Sequence, residues 1–295
     1  MNRIAVVIAV FCLTASAMAQ ATAAAMGNSQ SQPNQKGWTS YVLFQGSSNS
    51  LGQVMDLDTS VGYNFGSHFG IDGGVPIYFV QGTSATGTSI SNNGLGNIYG
   101  DIRLKFPNPL LNYNTILTGY APTGDSSLGF STGRATFTWN NRVDHSFGPL
   151  TPFVGFSLGN TIANTQLFNR PFTSLGYNAE FEGGAEYSLW RFIGVGASAY
   201  DIAPMGQQKL FSKFVNQASG PPSQAKNNRF FQTSPEVTGP ASIAEDNGFS
   251  AWVDSSPVPF LDLQLGYTHS IQYSLDTVSF GVGLNVGWIV RKSGH

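Results

Sequence analysis

The feature that most constrains this chain is a strict alternation of residue types along several segments. From Met55 to Phe65 the odd positions hold Met, Leu, Thr, Val, Tyr and Phe, and the even positions hold Asp, Ser, Gly and Asn. Residues two apart lie on the same face of a β-strand, so this segment has one mainly apolar face and one polar face. Such a strand fits a sheet that separates lipid from water.

Four further segments follow the same rule, at residues 98–106, 134–143, 177–189 and 278–288. A soluble β-sandwich also alternates, but its exposed faces normally carry Lys and Glu. Here aromatic residues such as Trp38, Phe106 and Trp190 fall near predicted strand ends, as in the interfacial girdles of membrane proteins. The pattern therefore favours an all-β transmembrane antiparallel up-and-down barrel over a sandwich.

The composition supports this fold class. Charged residues make up only 10% of the chain, where a globular protein has about 25%. Glycine is abundant, with 35 residues, and aromatic residues reach 13%. With a net charge of −2 and no Lys/Arg cluster, the chain has no electrostatic basis for binding nucleic acid.

The first residues predict export. Residues 1–19 hold Arg3, an apolar run at 4–13, and Ala17-Met18-Ala19, which is the order of a cleaved signal peptide. The apolar run is too short for a transmembrane helix, which needs about 20 residues. The single cysteine, Cys12, lies in that run, so we expect no disulfide or lipid anchor in the mature chain. Residues 20–37 are poor in apolar side chains and predict a flexible periplasmic leader.

Counting weaker segments, we predict twelve strands, an even number as in bacterial barrels of one chain. They lie near residues 38–47, 53–65, 68–80, 96–106, 112–120, 133–145, 150–161, 175–189, 192–203, 248–255, 260–270 and 277–290. The barrel thus spans 38–290, with a tail at 291–295. Outer-membrane strands usually finish on a terminal aromatic residue, whereas here Trp288 is followed by seven more residues.

Connection lengths mostly alternate between short and long, which predicts short periplasmic turns, longer external loops, and both chain ends in the periplasm. The longest loop, 204–247, is rich in Gln, Asn, Ser and Pro. Two interpretations of it stand equally: a loop folded inward as a lid or constriction, or a mobile, solvated external loop.

Three motifs in the middle of the chain resemble a known family. They are Asn-Gly-Leu-Gly-Asn-Ile-Tyr-Gly-Asp at 93–101, Ala-Pro-Thr-Gly-Asp at 121–125 and Gly-Phe-Ser-Thr-Gly at 129–133. The stretch 93–160 resembles the outer-membrane transporter family associated with the meta-cleavage pathway of phenol degradation. Asn97 stands where that family usually has Asp. The resemblance implies a barrel that passes small solutes, including apolar or aromatic ones.

The face predicted to line the lumen carries the candidate site. The candidates are Asp56, Asp58, Asp101, Arg103, Arg134, Arg142, Glu180, Glu182 and Glu186, accompanied by Asp72, Lys105, Asp144 and Asp262. Acidic residues exceed basic ones. A water-filled lumen would then favour neutral or cationic solutes over anions, whereas in a packed lumen the same residues would pair and hold the barrel rigid.

No enzyme motif stands out. Barrels that hydrolyse lipids need a Ser beside a His, but in His145-Ser146 and His269-Ser270 the two side chains of a strand pair would point to opposite faces. His68 falls at a predicted periplasmic turn, far from outer-leaflet lipid. We find no zinc spacing and no phosphate-binding loop, so we expect no metal, no cofactor and no catalysis.

The sequence thus predicts a passive channel for small solutes in the outer membrane of a diderm bacterium. The expected partners are outer-membrane lipid, the barrel-assembly machinery and a small-molecule solute. Two alternatives stay open: a closed structural or adhesive barrel that acts through its outer loops, and an outer-membrane lipid hydrolase.

Overall fold

The computed structural model describes residues 36–50, 52–83, 89–126, 128–162, 170, 172–211 and 236–293. The predicted signal peptide and nearly all of the predicted leader lie outside these ranges. Within these ranges fifteen strands make up a single sheet. They are β1 (Gly37–Asn49), β2 (Gly52–Asn64), β3 (Phe69–Thr83), β4 (Ser89–Leu95), β5 (Tyr99–Phe106), β6 (Asn112–Tyr120), β7 (Thr136–Asp144), β8 (Leu150–Ile162), β9 (Thr173–Trp190), β10 (Ile193–Pro204), β11 (Gln208–Phe211), β12 (Val237–Gly239), β13 (Asp246–Val258), β14 (Leu261–Ser270) and β15 (Leu275–Asn285).

Twelve of these strands close into an antiparallel barrel, as the sequence predicts. Each strand pairs with its neighbours along the chain, and the ring closes where β15 pairs with β1. β10 pairs with both β9 and β13. The three short strands only extend the wall: β4 pairs with β3, β11 pairs with β9, and β12 pairs with β11.

The barrel has two different ends. We call the end with the connections β2–β3, β5–β6, β7–β8, β9–β10 and β13–β14 the turn end, because each of these connections has at most five residues. The opposite end, the loop end, carries the longer connections β3–β5 (which contains β4), β6–β7, β8–β9 and β10–β13, together with the brief β1–β2 and β14–β15 turns. The described ends of the predicted 204–247 loop form β11, β12 and a 3-10 helix at Ala241–Ile243.

The register sorts the two faces of the wall. Tyr41 on β1 lies opposite Ser60 on β2 and Asn285 on β15, and all three are on the inner face. Outward positions carry exposed apolar side chains on every side of the barrel, as a lipid-facing belt requires. Examples are Phe44, Val61, Ile71, Phe79, Ile102, Leu117, Trp139, Val154, Phe181, Phe249, Val253, Leu265 and Leu284.

Aromatic side chains on the inner face lie over glycines of neighbouring strands. A Cβ added at Gly196 on β10 would overlap the Trp252 ring, and one added at Gly283 on β15 would overlap the Tyr41 ring. Trp252 and Tyr41 are both buried. The absence of a side chain at these two positions therefore lets large rings pack flat on the inner wall.

The last strand is shorter than the sequence predicts. β15 ends at Asn285, and the helix α1 (Val286–Ser293) follows where we predicted strand up to residue 290. Asn285 Oδ1 accepts a hydrogen bond from the Trp288 N–H at 2.9 Å, which is the N-cap interaction of a helix start. The alternation of Val286 and Trp288 resembles that of a strand, but the Asn285 cap favours a helix at these residues.

No helix in the described part of the chain has the length and apolar character needed to cross a membrane.

Candidate functional site

The inner wall carries a first ionic group around Arg103 on β5, which we call the Arg103 cluster. The Arg103 guanidinium forms an ion pair with Asp72, and its Nε lies 3.6 Å from Asp101 Oδ1. Arg103 also donates to Asn64 Oδ1 at 3.2 Å. Thr39 donates to Asp72 at 3.0 Å. The strands β1, β2, β3 and β5 are therefore tied together on the inside.

Asp58 and Asp56 lie next on the same wall. The Tyr99 hydroxyl donates to Asp58 at 2.9 Å, and Gln45 Nε2 donates to Asp56 at 3.2 Å. Asp56 is buried and Asp58 is half-buried. Their carboxylates act as hydrogen-bond acceptors between strands, so this part of the wall is packed.

A second ionic group, the Arg142 cluster, lies on β7, β8 and β9. Arg142 Nη2 lies 2.6 Å from Glu186 Oε1, and Arg142 Nε lies 3.8 Å from Asp144. The guanidinium also sits 3.8 Å from the centre of the Phe153 ring, a cation–π contact. Phe153 in turn contacts Trp252, with ring centres 6.2 Å apart.

The two arginines are shielded, but some acids are not. The side chains of Arg103 and Arg142 are 7% and 11% exposed, whereas that of Glu186 is 34% exposed. Asn140 points inward from β7 opposite Ser157 and is exposed, so solvent reaches the interior near these strands. The inner charges in contact with water are therefore mainly acidic.

The three predicted glutamates share one face of β9. Glu180 lies opposite Ser157, Glu182 opposite Gly155 and Glu186 opposite Thr151, all on the inner face. Asp254 on β13 is an inward, half-buried acid that we did not single out from the sequence, and it lies opposite Gly194 and Gln264. Together with the three glutamates it makes four inward carboxylates, and it lies two residues after Trp252 on β13.

Arg134 does not belong to the inner wall. It lies in the connection before β7, which begins at Thr136, and it is exposed. The Thr132 hydroxyl donates to the Arg134 carbonyl at 3.0 Å, so a local turn holds this segment away from the strand register. The prediction of a lumen position for Arg134 is wrong because the strand starts later than its alternation suggests.

A third ionic group lies at the loop end. Arg170, from the β8–β9 connection, and Asp246, at the start of β13, form a fully buried ion pair with an N–O distance of 3.4 Å. Ser270 donates to Asp246 at 2.6 Å, and Tyr200 donates to it at 3.3 Å. Arg170 also donates to the Ala244 carbonyl at 3.3 Å. The sequence contains no local signal for this pair, because both residues belong to long loops or their edges.

The motifs that carry the family resemblance meet at the loop end. Asn97, in the break between β4 and β5, accepts a hydrogen bond from the Gly124 N–H at 3.2 Å, and the Ile98 N–H donates to Thr123 at 2.8 Å. Downstream, Phe130 is buried inside the barrel and stacks on Tyr78, with ring centres 5.6 Å apart. The Pro-Thr-Gly-Asp segment therefore has a structural role: its hydrogen bonds hold the β6–β7 connection to the segment between β4 and β5.

The histidines do not converge on one site. His269 faces outward and lies 2.8 Å from Asp276, while the neighbouring Ser270 faces inward toward Asp246. Ser67 Oγ lies 2.8 Å from His68 Nδ1 in an exposed turn at the turn end. Among the described residues, no group of three or more His, Cys, Asp or Glu is arranged to hold a metal ion.

No family model and no curated protein matches the sequence of this chain. Its predicted relationship to the phenol meta-cleavage transporter family therefore stays a prediction.

The structure is similar to solved membrane barrels. One is the COG4313 outer membrane channel from Pseudomonas putida F1, with a TM-score of 0.53 and 8% identity over 84% of this chain and 95% of that chain. The KdgM porin has a TM-score of 0.47 and 9% identity over 83% and 98% of the two chains. The Pseudomonas putida toluene transporter TodX has a TM-score of 0.35 and 9% identity over 84% and 87%. The last two likenesses are too distant to carry an inference. The first shows that the chain has the fold of an outer-membrane β-barrel.

Proposed function

We propose that this protein is an outer-membrane channel through which small solutes pass passively. The observation that carries the proposal is the partly hydrated interior of a closed barrel with an apolar outside. Inward-facing Asn140 is exposed, and Glu186 keeps a third of its side chain, 34%, in contact with solvent. A barrel built only for rigidity has no need for water beside its inner acids.

The charge arrangement supports a preference for neutral and cationic solutes. Arg103 and Arg142 are each bound to two carboxylates, and Arg142 is also covered by Phe153. Glu180, Glu182 and Asp254 are half-buried inward acids that have no ion pair within 4 Å among the described residues. Lys105 on β5 is a half-buried inward base that likewise forms no ion pair within 4 Å among the described residues, so these acids outnumber it. The net field in the hydrated part is therefore negative, which attracts cations and repels anions.

The solute class rests on the resemblance of residues 93–133 to the phenol meta-cleavage transporter family, which extends the proposal to small apolar or aromatic solutes. Export through a signal peptide cleaved before Gln20 belongs to the same proposal, and the mass of the mature chain tests it.

Liposome swelling tests the channel proposal. Liposomes that contain the folded protein should swell in iso-osmotic solutions of a small neutral sugar or an aromatic alcohol faster than protein-free liposomes. Swelling at the protein-free rate would favour the closed structural barrel that acts through its loops. Hydrolysis of a fluorogenic ester that is lost in Ser67→Ala would favour the lipid hydrolase, because Ser67 and His68 are hydrogen-bonded.

A further inference from the structure

The helix α1 presents an unusual surface at the turn end of the barrel. Ile289 is exposed, and Val290 is 64% exposed. Arg291 and Lys292 follow directly and are also exposed. Exposed aliphatic residues next to basic residues are unfavourable in bulk water but are typical of helices that lie in a membrane interface.

Specific contacts fix α1 at the wall of the barrel. A Cβ added at Gly287 would lie 3.0 Å from the Ser40 backbone nitrogen, so the helix start approaches β1 closely. Arg291 Nη1 donates to the Trp38 carbonyl at 3.4 Å. Trp288 packs on Phe260, in the β13–β14 turn, with ring centres 5.5 Å apart. The helix therefore follows the end of β15 and contacts β1 and the β13–β14 turn.

The surrounding aromatic residues define the depth of α1. Trp38, which α1 contacts, is 71% exposed, and it belongs to a ring of exposed aromatic residues at the turn end. Rings of this kind lie at the boundary between acyl chains and headgroups. The other members are Phe65, Phe69, Phe106, Phe147, Tyr187 and Trp190. At this depth we expect Ile289 and Val290 to face acyl chains, and the cations of Arg291 and Lys292 to lie near lipid phosphates.

We infer that α1 is a binding site for anionic phospholipid in the membrane leaflet at the turn end. Arg291 and Lys292 form no ion pair with a carboxylate of the described residues within 4 Å, and the protein as a whole carries a net charge of −2. Lys292 Nζ lies 4.8 Å from the centre of the Trp288 ring, which holds its charge at the interfacial level. The phosphate of an anionic lipid supplies the missing counter-charge.

Native mass spectrometry of the full-length protein, purified in equal amounts of phosphatidylglycerol and phosphatidylcholine, tests this site. At about 1 kcal/mol for each cation, two interfacial cations predict about a thirtyfold excess of retained phosphatidylglycerol. The double variant Arg291→Gln/Lys292→Gln should bring the ratio near one, whereas Arg291→Lys/Lys292→Arg should keep the excess. The control Arg134→Gln/Lys209→Gln removes two cations at the loop end, the exposed Arg134 and the half-buried Lys209 that pairs with Glu236, and should also keep the excess.

Two results would overturn the inference: equal retention of both lipids by the unchanged protein, or an excess that persists in Arg291→Gln/Lys292→Gln. Heat-dependent gel mobility checks that each variant is folded. Lys292→Gln alone serves if the double variant does not fold, because among the described residues Lys292 is held by its contact with the Trp288 ring. The excess should then fall about fivefold.

Discussion

Arg170 and Asp246 form an ion pair inside the loop end of the barrel, where neither side chain is exposed to solvent. The pair joins the β8–β9 connection to the start of β13, and Tyr200 and Ser270 complete the hydrogen bonding of the Asp246 carboxylate. A buried charge without its partner is costly, so each member of the pair depends on the other.

Removing Arg170 alone should therefore destabilise the barrel more than removing both charges. We expect Arg170→Met to lower the free energy of unfolding by about 3–5 kcal/mol, because Asp246 is left as an unpaired buried charge. Arg170→Met/Asp246→Asn should recover a large part of this loss. The temperature at which gel mobility changes measures both effects. Exposed Arg134→Gln is the control, and equal losses in the single and double variants would contradict the pairing.

Because Trp252 packs over Gly196, a methyl group added at residue 196 should lower the stability of the barrel more than one added at a glycine with free space. Gly196→Ala forces the Trp252 ring away from the wall and should cost about 1–3 kcal/mol of unfolding free energy. Gly183→Ala on the neighbouring strand is the matched control, because an added Cβ there meets no atom within 4 Å. Denaturant unfolding followed by tryptophan fluorescence compares the two variants. Equal stability of both would show that the ring does not rest on Gly196.

The hydrogen bond from Gly124 to Asn97 predicts how the β6–β7 connection responds to substitution. Asn97→Ala removes the acceptor, which is worth about 0.5–1.5 kcal/mol, and should make residues 121–126 more accessible to protease. Asn97→Asp keeps an acceptor and should leave the cleavage rate unchanged. Faster cleavage of the Asp variant than of the Ala variant would show that the hydrogen bond from Gly124 to Asn97 does not hold this connection in place.

The N-cap at Asn285 predicts the stability of α1. Asn285→Ala removes the hydrogen bond to the Trp288 N–H and should cost the helix about 0.5–2 kcal/mol. Asn285→Asp restores a capping oxygen and is the control. Hydrogen exchange of the α1 amides should become faster in the Ala variant only. Unchanged exchange in both would show that the contacts with β1 and Phe260 hold the helix without the cap.

Much of the barrel could be predicted because its chemistry is local to each strand. The alternation from Met55 to Phe65 assigns each residue of β2 to a face, and Asp56 and Asp58 indeed point inward. Strand ends were harder to predict. Arg134 continues the alternation of β7 but falls in a turn, and the Asn285 cap converts an apparent strand into α1. The face on which a side chain lies follows from the two-residue period of a strand, whereas the residue at which a strand begins or ends depends on single hydrogen bonds.

The site was predictable only in part, for a related reason. Alternation places Arg103, Arg142 and Glu186 on the inner face, but the distances that pair them depend on the stagger between strands. The pairing of Arg170 with Asp246 joins residues 76 apart through loops that carry no periodicity. Sequence reasoning can therefore list the charges of a barrel interior more reliably than it can decide which of them are neutralised.

The most direct measurement of the central claim is the reversal potential of the reconstituted protein in a planar bilayer under a KCl gradient. An inner wall that carries the Glu180, Glu182 and Glu186 carboxylates predicts a current carried mainly by K⁺, and a clear loss of that preference in Glu180→Gln/Glu182→Gln/Glu186→Gln. The same reversal potential in the unchanged protein and the triple variant, or the absence of any conductance, would contradict the account.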